Sequence, residues 1–181
     1  MLTKNSAVAL LATVALVGAA GPAAAGSGGK DGAKPAAPSK PQLAKVRAAT
    51  AKYKDVRKAI ADGYVATSKC ESSKSGAMGF HYMHPQRATD GKVDVTKPDF
   101  LLYGPKRGGG VQLNGVEYFL VDADQNLATR NADLPKVLGH EFDGPMPGHV
   151  KGMPVHNDLH VWLYTKNPKG MFAPYNPKVS C

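Results

Sequence analysis

Helical periodicity occurs once in this 181-residue chain, and the rest is broken up by turn formers. Between Gln42 and Asp62, Leu43, Val46, Tyr53, Val56 and Ile60 recur at intervals of three, four and seven, which gathers apolar side chains on one stripe of a helix. Lysines and arginines fill the other face, and Gly63 is a natural stop. From Tyr64 onward the apolar runs are short and are punctuated by Gly, Pro and Asp. The expected fold is therefore α+β: an N-terminal amphipathic helix packed on a small, mostly antiparallel sheet, rich in loops. Residues 42–181 suffice for a single globular domain.

Phe100 to Tyr103, the glycines Gly108, Gly109 and Gly110, and Val116 to Val121 read as a hairpin region. Leu159 to Tyr164 reads as the last strand. Between them, Phe142 to Pro154 carries Gly144, Pro145, Pro147, Gly148, Gly152 and Pro154, too broken for helix or strand, and is expected as an ordered loop or lid. The tail from Asn167 is expected to be irregular.

The N-terminus has the layout of an export signal. Lys4 supplies a positive start, Ala7 to Gly18 an apolar run, and Ala23, Ala24 and Ala25 the small residues a signal peptidase accepts. The apolar run is shorter than the ~20 residues of a membrane span, so residues 1–25 are read as a signal peptide and no transmembrane segment is expected. Residues 26–41, mostly Gly, Ala, Lys, Ser and Pro, read as a disordered tether. The protein is then secreted or held in the cell envelope. There, two cysteines are most simply one disulfide, Cys70 with Cys181, fixing a tail that would otherwise fray.

The formal net charge of +9 leaves an anionic envelope polymer open as a partner. No aromatic-rich RNA motif or basic recognition helix accompanies it, so no specific nucleic acid partner is expected.

All six histidines fall after residue 80: His81, His84, His140, His149, His156 and His160. Histidine is the commonest metal ligand and the usual acid or base near neutral pH, so their concentration in turn-rich sequence marks the candidate site. On a strand, His156, Asp158, His160, Trp162 and Tyr164 share one face, and Leu159, Val161 and Leu163 share the other, which reads as core. His156 and His160 would stand ~13 Å apart at the backbone, near the limit for sharing an ion, given ~3.3 Å per residue. Asp158 pairs more easily with either. His81 and His84 fall on opposite faces of a strand. Glu117, among Val116, Tyr118 and Phe119, is either outward-facing, the slightly favoured reading, or a pocket ligand.

The chain resembles a family of exported bacterial proteins of uncharacterised function from about Ala51 to Cys181. The resemblance is carried by Gly76-Ala77-Met78-Gly79-Phe80-His81-Tyr82, by Gly115-Val116-Glu117-Tyr118-Phe119, by the string from Phe142 to His149, by the string from Gly152 to Leu163 and by Asn167 to Ala173. It implies no activity. It does place His81, His149, His156 and His160 inside the family-like strings and His84 and His140 outside them.

The function expected from these residues is a secreted or envelope metal-binding protein, with a metalloenzyme as one form of it. Its ligands would come from His81, His149, His156, His160, Glu117 and Asp158. Imidazole with carboxylate suits a transition metal such as Zn, Cu or Fe. The rival is a non-catalytic module that binds an envelope polymer or small ligand on Tyr82, Tyr118, Trp162 and Tyr164.

Overall fold

The computed structural model describes residues 37–129 and 134–181, so the expected signal peptide over 1–25 and most of the tether lie outside the described residues. Among the described residues three α-helices, α1 (Lys40–Thr50), α2 (Val56–Ala61) and α3 (Pro85–Ala88), accompany seven strands. These are β1 (Val65–Ala66), β2 (Glu71–Ser73), β3 (Gly76–Met83), β4 (Phe100–Pro105), β5 (Val111–Val121), β6 (Asp143–Met146) and β7 (His156–Val161). They form one sheet in the order β1-β3-β4-β5-β7-β6, with β2 also paired to β3. Every pairing is antiparallel. No helix among the described residues is long and apolar enough to cross a membrane.

The expected single helix over 42–62 is broken into pieces. It begins at Lys40, inside the segment read as tether, because Ser39 caps it: the Ser39 hydroxyl accepts from the Gln42 amide and the Gln42 side chain accepts from the Ser39 amide. A 3-10 turn over Ala51–Lys54 follows, and the Asp55 carboxylate starts α2 by accepting from the Arg57 amide. The break shifts the phase of the apolar stripe. Val46, Tyr53 and Ala59 reach the core, whereas Ile60 is left 56% exposed.

The two faces of the sheet are sorted by alternation. Leu101 in β4 pairs with Val116 in β5, which pairs with Val161 in β7, and these join the main core with Tyr118, Leu120 and Leu159. Val46, Tyr53, Ala59 and Tyr64 pack on that side. One residue along, Phe100, Glu117 and His160 are aligned across the same three strands and face the opposite way.

β3 and β4 approach closely at Gly79. Its φ is +97°, and an added Cβ would lie 2.1 Å from the Tyr103 carbonyl oxygen. Gly79→Ala therefore has both a left-handed backbone penalty and a backbone clash, and it is expected to cost about 3 kcal/mol or more. A urea unfolding midpoint unchanged from the parent would contradict this packing.

Two segments differ from expectation. Phe142 to Pro154 was expected to lack strand, but Asp143–Met146 forms edge strand β6. Only Asp143 and Met146 are paired with β7, with a register shift between them. An edge strand tolerates the missing amide donor of Pro145, and the Gly144–Pro145 bond is cis. The last strand ends at Val161 rather than Tyr164, because the Trp162 amide turns to the Met171 carbonyl and the Tyr164 amide to the Asn114 carbonyl. Tyr164 thus packs toward the main core instead of continuing the histidine face.

Cys70 and Cys181 form a disulfide, with Cα atoms 5.7 Å apart. The tail before it is irregular but anchored. Ala77 and Asn176 exchange backbone hydrogen bonds, the Trp162 indole donates to the Ala173 carbonyl, and Val179 packs with Ala77, Leu102 and Trp162.

Beside Phe119 lies Asp99, 2% exposed, whose carboxylate accepts from the Phe119 amide at 2.9 Å. Burial pushes its pKa from 3.8 up to about 7. The folded state thus holds a proton that the unfolded chain has released between pH ~4 and ~7, so stability is fullest below that window and falls as pH rises through it. Asp99→Asn keeps an acceptor for Phe119 and removes the titration. Thermal melts at pH 4.5 and 7.5 are expected to show the variant gaining on the parent at the higher pH, by on the order of a few kcal/mol. A parent and variant with parallel pH profiles would contradict the burial argument.

Candidate metal centre

The histidine face of the sheet collects ionisable side chains from three strands. Glu117 lies in the middle of β5, and its cross-strand partner in β7 is His160. His81 comes from β3 on the other side, one row away opposite Leu102. The His81 backbone is fixed by its own neighbourhood: the Thr67 amide and hydroxyl both donate to the His81 carbonyl, and the His81 amide donates to the Ser68 hydroxyl.

His81, Glu117 and His160 each offer one ligand atom to a buried group in which all three atoms lie within 4.8 Å of one another. The His81 Nε2 is 3.4 Å from Glu117 Oε2, and His160 Nε2 is 3.8 Å from the same oxygen. These separations are long for hydrogen bonds. They suit a shared ion, because bonds of about 2.0–2.1 Å in tetrahedral geometry space the ligand atoms by roughly 3.4 Å. Glu117 Oε2 and His160 Nε2, which face each other, are buried without a hydrogen-bond partner in the protein. Buried polar atoms are ordinarily satisfied, so this pair is open to a bound group. The His81–Glu117–His160 group could hold a metal ion.

Both imidazoles have a carboxylate behind them. His81 Nδ1 is 3.2 Å from the Ser68 hydroxyl and 3.4 Å from Glu71 Oε1. His160 Nδ1 is 3.6 Å from Asp158 Oδ1. A carboxylate on the far nitrogen orients a ligating imidazole and raises its basicity.

Burial and neighbouring charges compete in setting the proton affinities. Burial lowers the His81 pKa to about 3, with the neighbouring His160 adding to the effect. It raises Glu117 against the pull of His160. Burial also opposes charging of His160, but Glu117 and Asp158 outweigh it and carry that imidazole to about 9. At Asp158 burial opposes ionisation, and His160 and His156 on either side hold the carboxyl below its usual value.

The other predicted ligands surround this group without joining it. His156 is fully buried, with Nδ1 3.1 Å from the Pro154 carbonyl and Nε2 3.8 Å from Asp158 Oδ2. His149 meets the His156 ring edge-on at 5.1 Å from an exposed loop position. Asp158 bridges His156 and His160. His84 packs edge-on against Tyr64 on the other side of the sheet, and His140 stacks on Phe172 at 3.5 Å.

The slightly favoured outward orientation of Glu117 is corrected: the residue is 3% exposed. Its face is covered by residues 149–154 and by the segment around Thr67, Ser68 and Glu71, which roof a cavity of about 320 Å³. Glu71 and Ser68 were missed from the sequence, since both sit in polar sequence before β3: the pairing of β2 with β3 brings Glu71 to His81, and the pairing of β1 with β3, continued by Thr67, brings Ser68. The four aromatics of the rival reading do not gather on one surface. Tyr118 is buried with its hydroxyl donating to the Val95 carbonyl, Trp162 is buried under the tail, and Tyr82 packs on Tyr103. No protein-family model matches the chain, and no curated protein and no solved structure matches it.

Proposed function

We propose that this chain is an exported metal-binding protein whose ion is held by His81, Glu117 and His160. One observation carries the reading: two buried imidazoles point their Nε2 atoms at one buried carboxylate oxygen that has no hydrogen-bond partner. Leaving such a group unpaired is costly, and a cation removes the cost. Two histidines and one carboxylate are a donor set that Zn, Cu or Fe accepts.

Three protein ligands leave a coordination position free, and His81 and Glu117 line the cavity, which puts that position on the cavity side. A cation there supplies Lewis acidity toward a molecule in the cavity. Glu71 and Asp158 orient the two imidazoles, and the loop over 149–154 lines the cavity beside them. Export agrees with the signal-like N-terminus and with the Cys70–Cys181 disulfide, which persists in oxidising compartments. The test is metal addition to metal-free protein, followed by thermal melting of the parent and of site variants.

A further inference from the structure

The cavity beside the proposed ion is lined unequally. At one end are His81 and Glu117, with the Ser68 hydroxyl and Glu71 close by. The remaining wall is mostly apolar: Met83, Phe100, Phe119 and Val121 from the sheet and Met153 and Pro154 from the covering loop, with Thr67, Thr89, His149 and Lys151 as its polar members. Phe100 and Phe119 pack at 5.5 Å between ring centroids and belong with Ala88, Met83 and Met153 to a separate apolar cluster. The loop is held in place over them. The Asp122 amide donates to the Val155 carbonyl, the Gln125 side chain brackets Val155, and the Met153 amide returns to the Val150 carbonyl.

A cavity of about 320 Å³ is at the small end of ligand sites, which run from about 300 to 1,000 Å³. Its apolar wall offers few partners for the hydroxyls of a sugar, whose burial there would cost hydrogen bonds. We propose that the cavity takes a small molecule with an aromatic or branched-aliphatic body and an oxygen donor at one end. The donor goes to the ion and the body lies over Phe100 and Phe119. This inference rests on the metal-binding reading and names the class of molecule that the same site accepts.

Benzohydroxamate and acetohydroxamate share one metal-binding head and differ in the apolar body, so they are suitable probes. Zinc uptake by the metal-free full chain is measured first, by titration without either probe. Binding of each probe to the zinc-loaded and the metal-free protein then follows by calorimetry. Benzohydroxamate is expected to bind the zinc-loaded protein at least about tenfold more tightly than acetohydroxamate, since the buried ring adds apolar area. It is expected to bind the metal-free protein at least about tenfold more weakly. Met153→Lys, a change on a partly exposed loop residue, is expected to erase the preference for the aromatic probe. Equal affinities for the two probes in zinc-loaded parent would overturn the apolar-body assignment and leave the metal site standing. Equal binding of benzohydroxamate with and without zinc would overturn the role of the ion in holding the donor. Failure of the first titration would overturn the metal-binding reading and this inference with it.

Discussion

Zinc added to the metal-free protein raises its melting temperature, and the rise disappears in Glu117→Gln and in His160→Ala: this is the expected result with the largest consequence for function. An ion that binds only the folded state stabilises it by about 2.7 kcal/mol at one hundred times Kd, which is roughly 7 °C for a chain of this size. The two variants differ in a way that separates ligation from ordinary packing. Glu117→Gln keeps the side chain's shape and leaves no cavity; it removes the carboxylate that faces His81 and His160, so a lost response to metal in this variant reports lost ligation rather than lost packing. His160→Ala also leaves a cavity and is expected to lower stability with or without metal. Asp158→Asn removes the carboxylate behind His160 and is expected to weaken metal affinity tenfold to a hundredfold without abolishing it. His84→Ala and His140→Ala, away from the group, are expected to keep the parent's response. A full response in Glu117→Gln would contradict the ligand assignment.

The second large effect is on stability. Cys70 and Cys181 are separated by 111 residues, and in the chain-entropy account closing a loop of that size removes about 4.7 kcal/mol of denatured-state freedom. The double variant Cys70→Ser, Cys181→Ser is expected to lose roughly 3–5 kcal/mol in urea unfolding, because the Ala77–Asn176 bonds and the Val179 contacts remain in the native state. It is expected to keep its metal response, since the pairings of β3 with β4, β4 with β5 and β5 with β7 that bring His81, Glu117 and His160 together do not involve the cysteines. Non-reducing peptide mapping of the parent is expected to recover the two cysteines joined. Two freely alkylated thiols in native protein would contradict the pairing.

What could be read from the residues follows the range of the interactions involved. The alternation of Leu159 and Val161 against Asp158 and His160 is local, and the structure keeps it: the leucine and valine enter the main core and the acid and histidine share the other face. The disulfide follows from there being two cysteines to pair. The helix break was not legible, because it depends on Asp55 capping a new helix and on Tyr53 being drawn into the core, against a periodicity that runs through both. Glu117 was misjudged for a related reason. Strand parity says which residues share a face and is silent on what covers that face, and here residues 149–154 close it. The four histidines expected as ligands divided for the same reason. His81 reaches His160 only because β4 and β5 lie between β3 and β7, a matter of sheet order that spacing along the chain does not encode.

Metal content of protein produced without a histidine tag tests the central claim most directly. After loading with zinc and exhaustive dialysis, elemental analysis of the parent is predicted to find one ion per chain. The same treatment of the His81→Ala, Glu117→Gln and His160→Ala variants is predicted to find almost none. A parent that retains no metal, or variants that retain as much as the parent, would contradict the account.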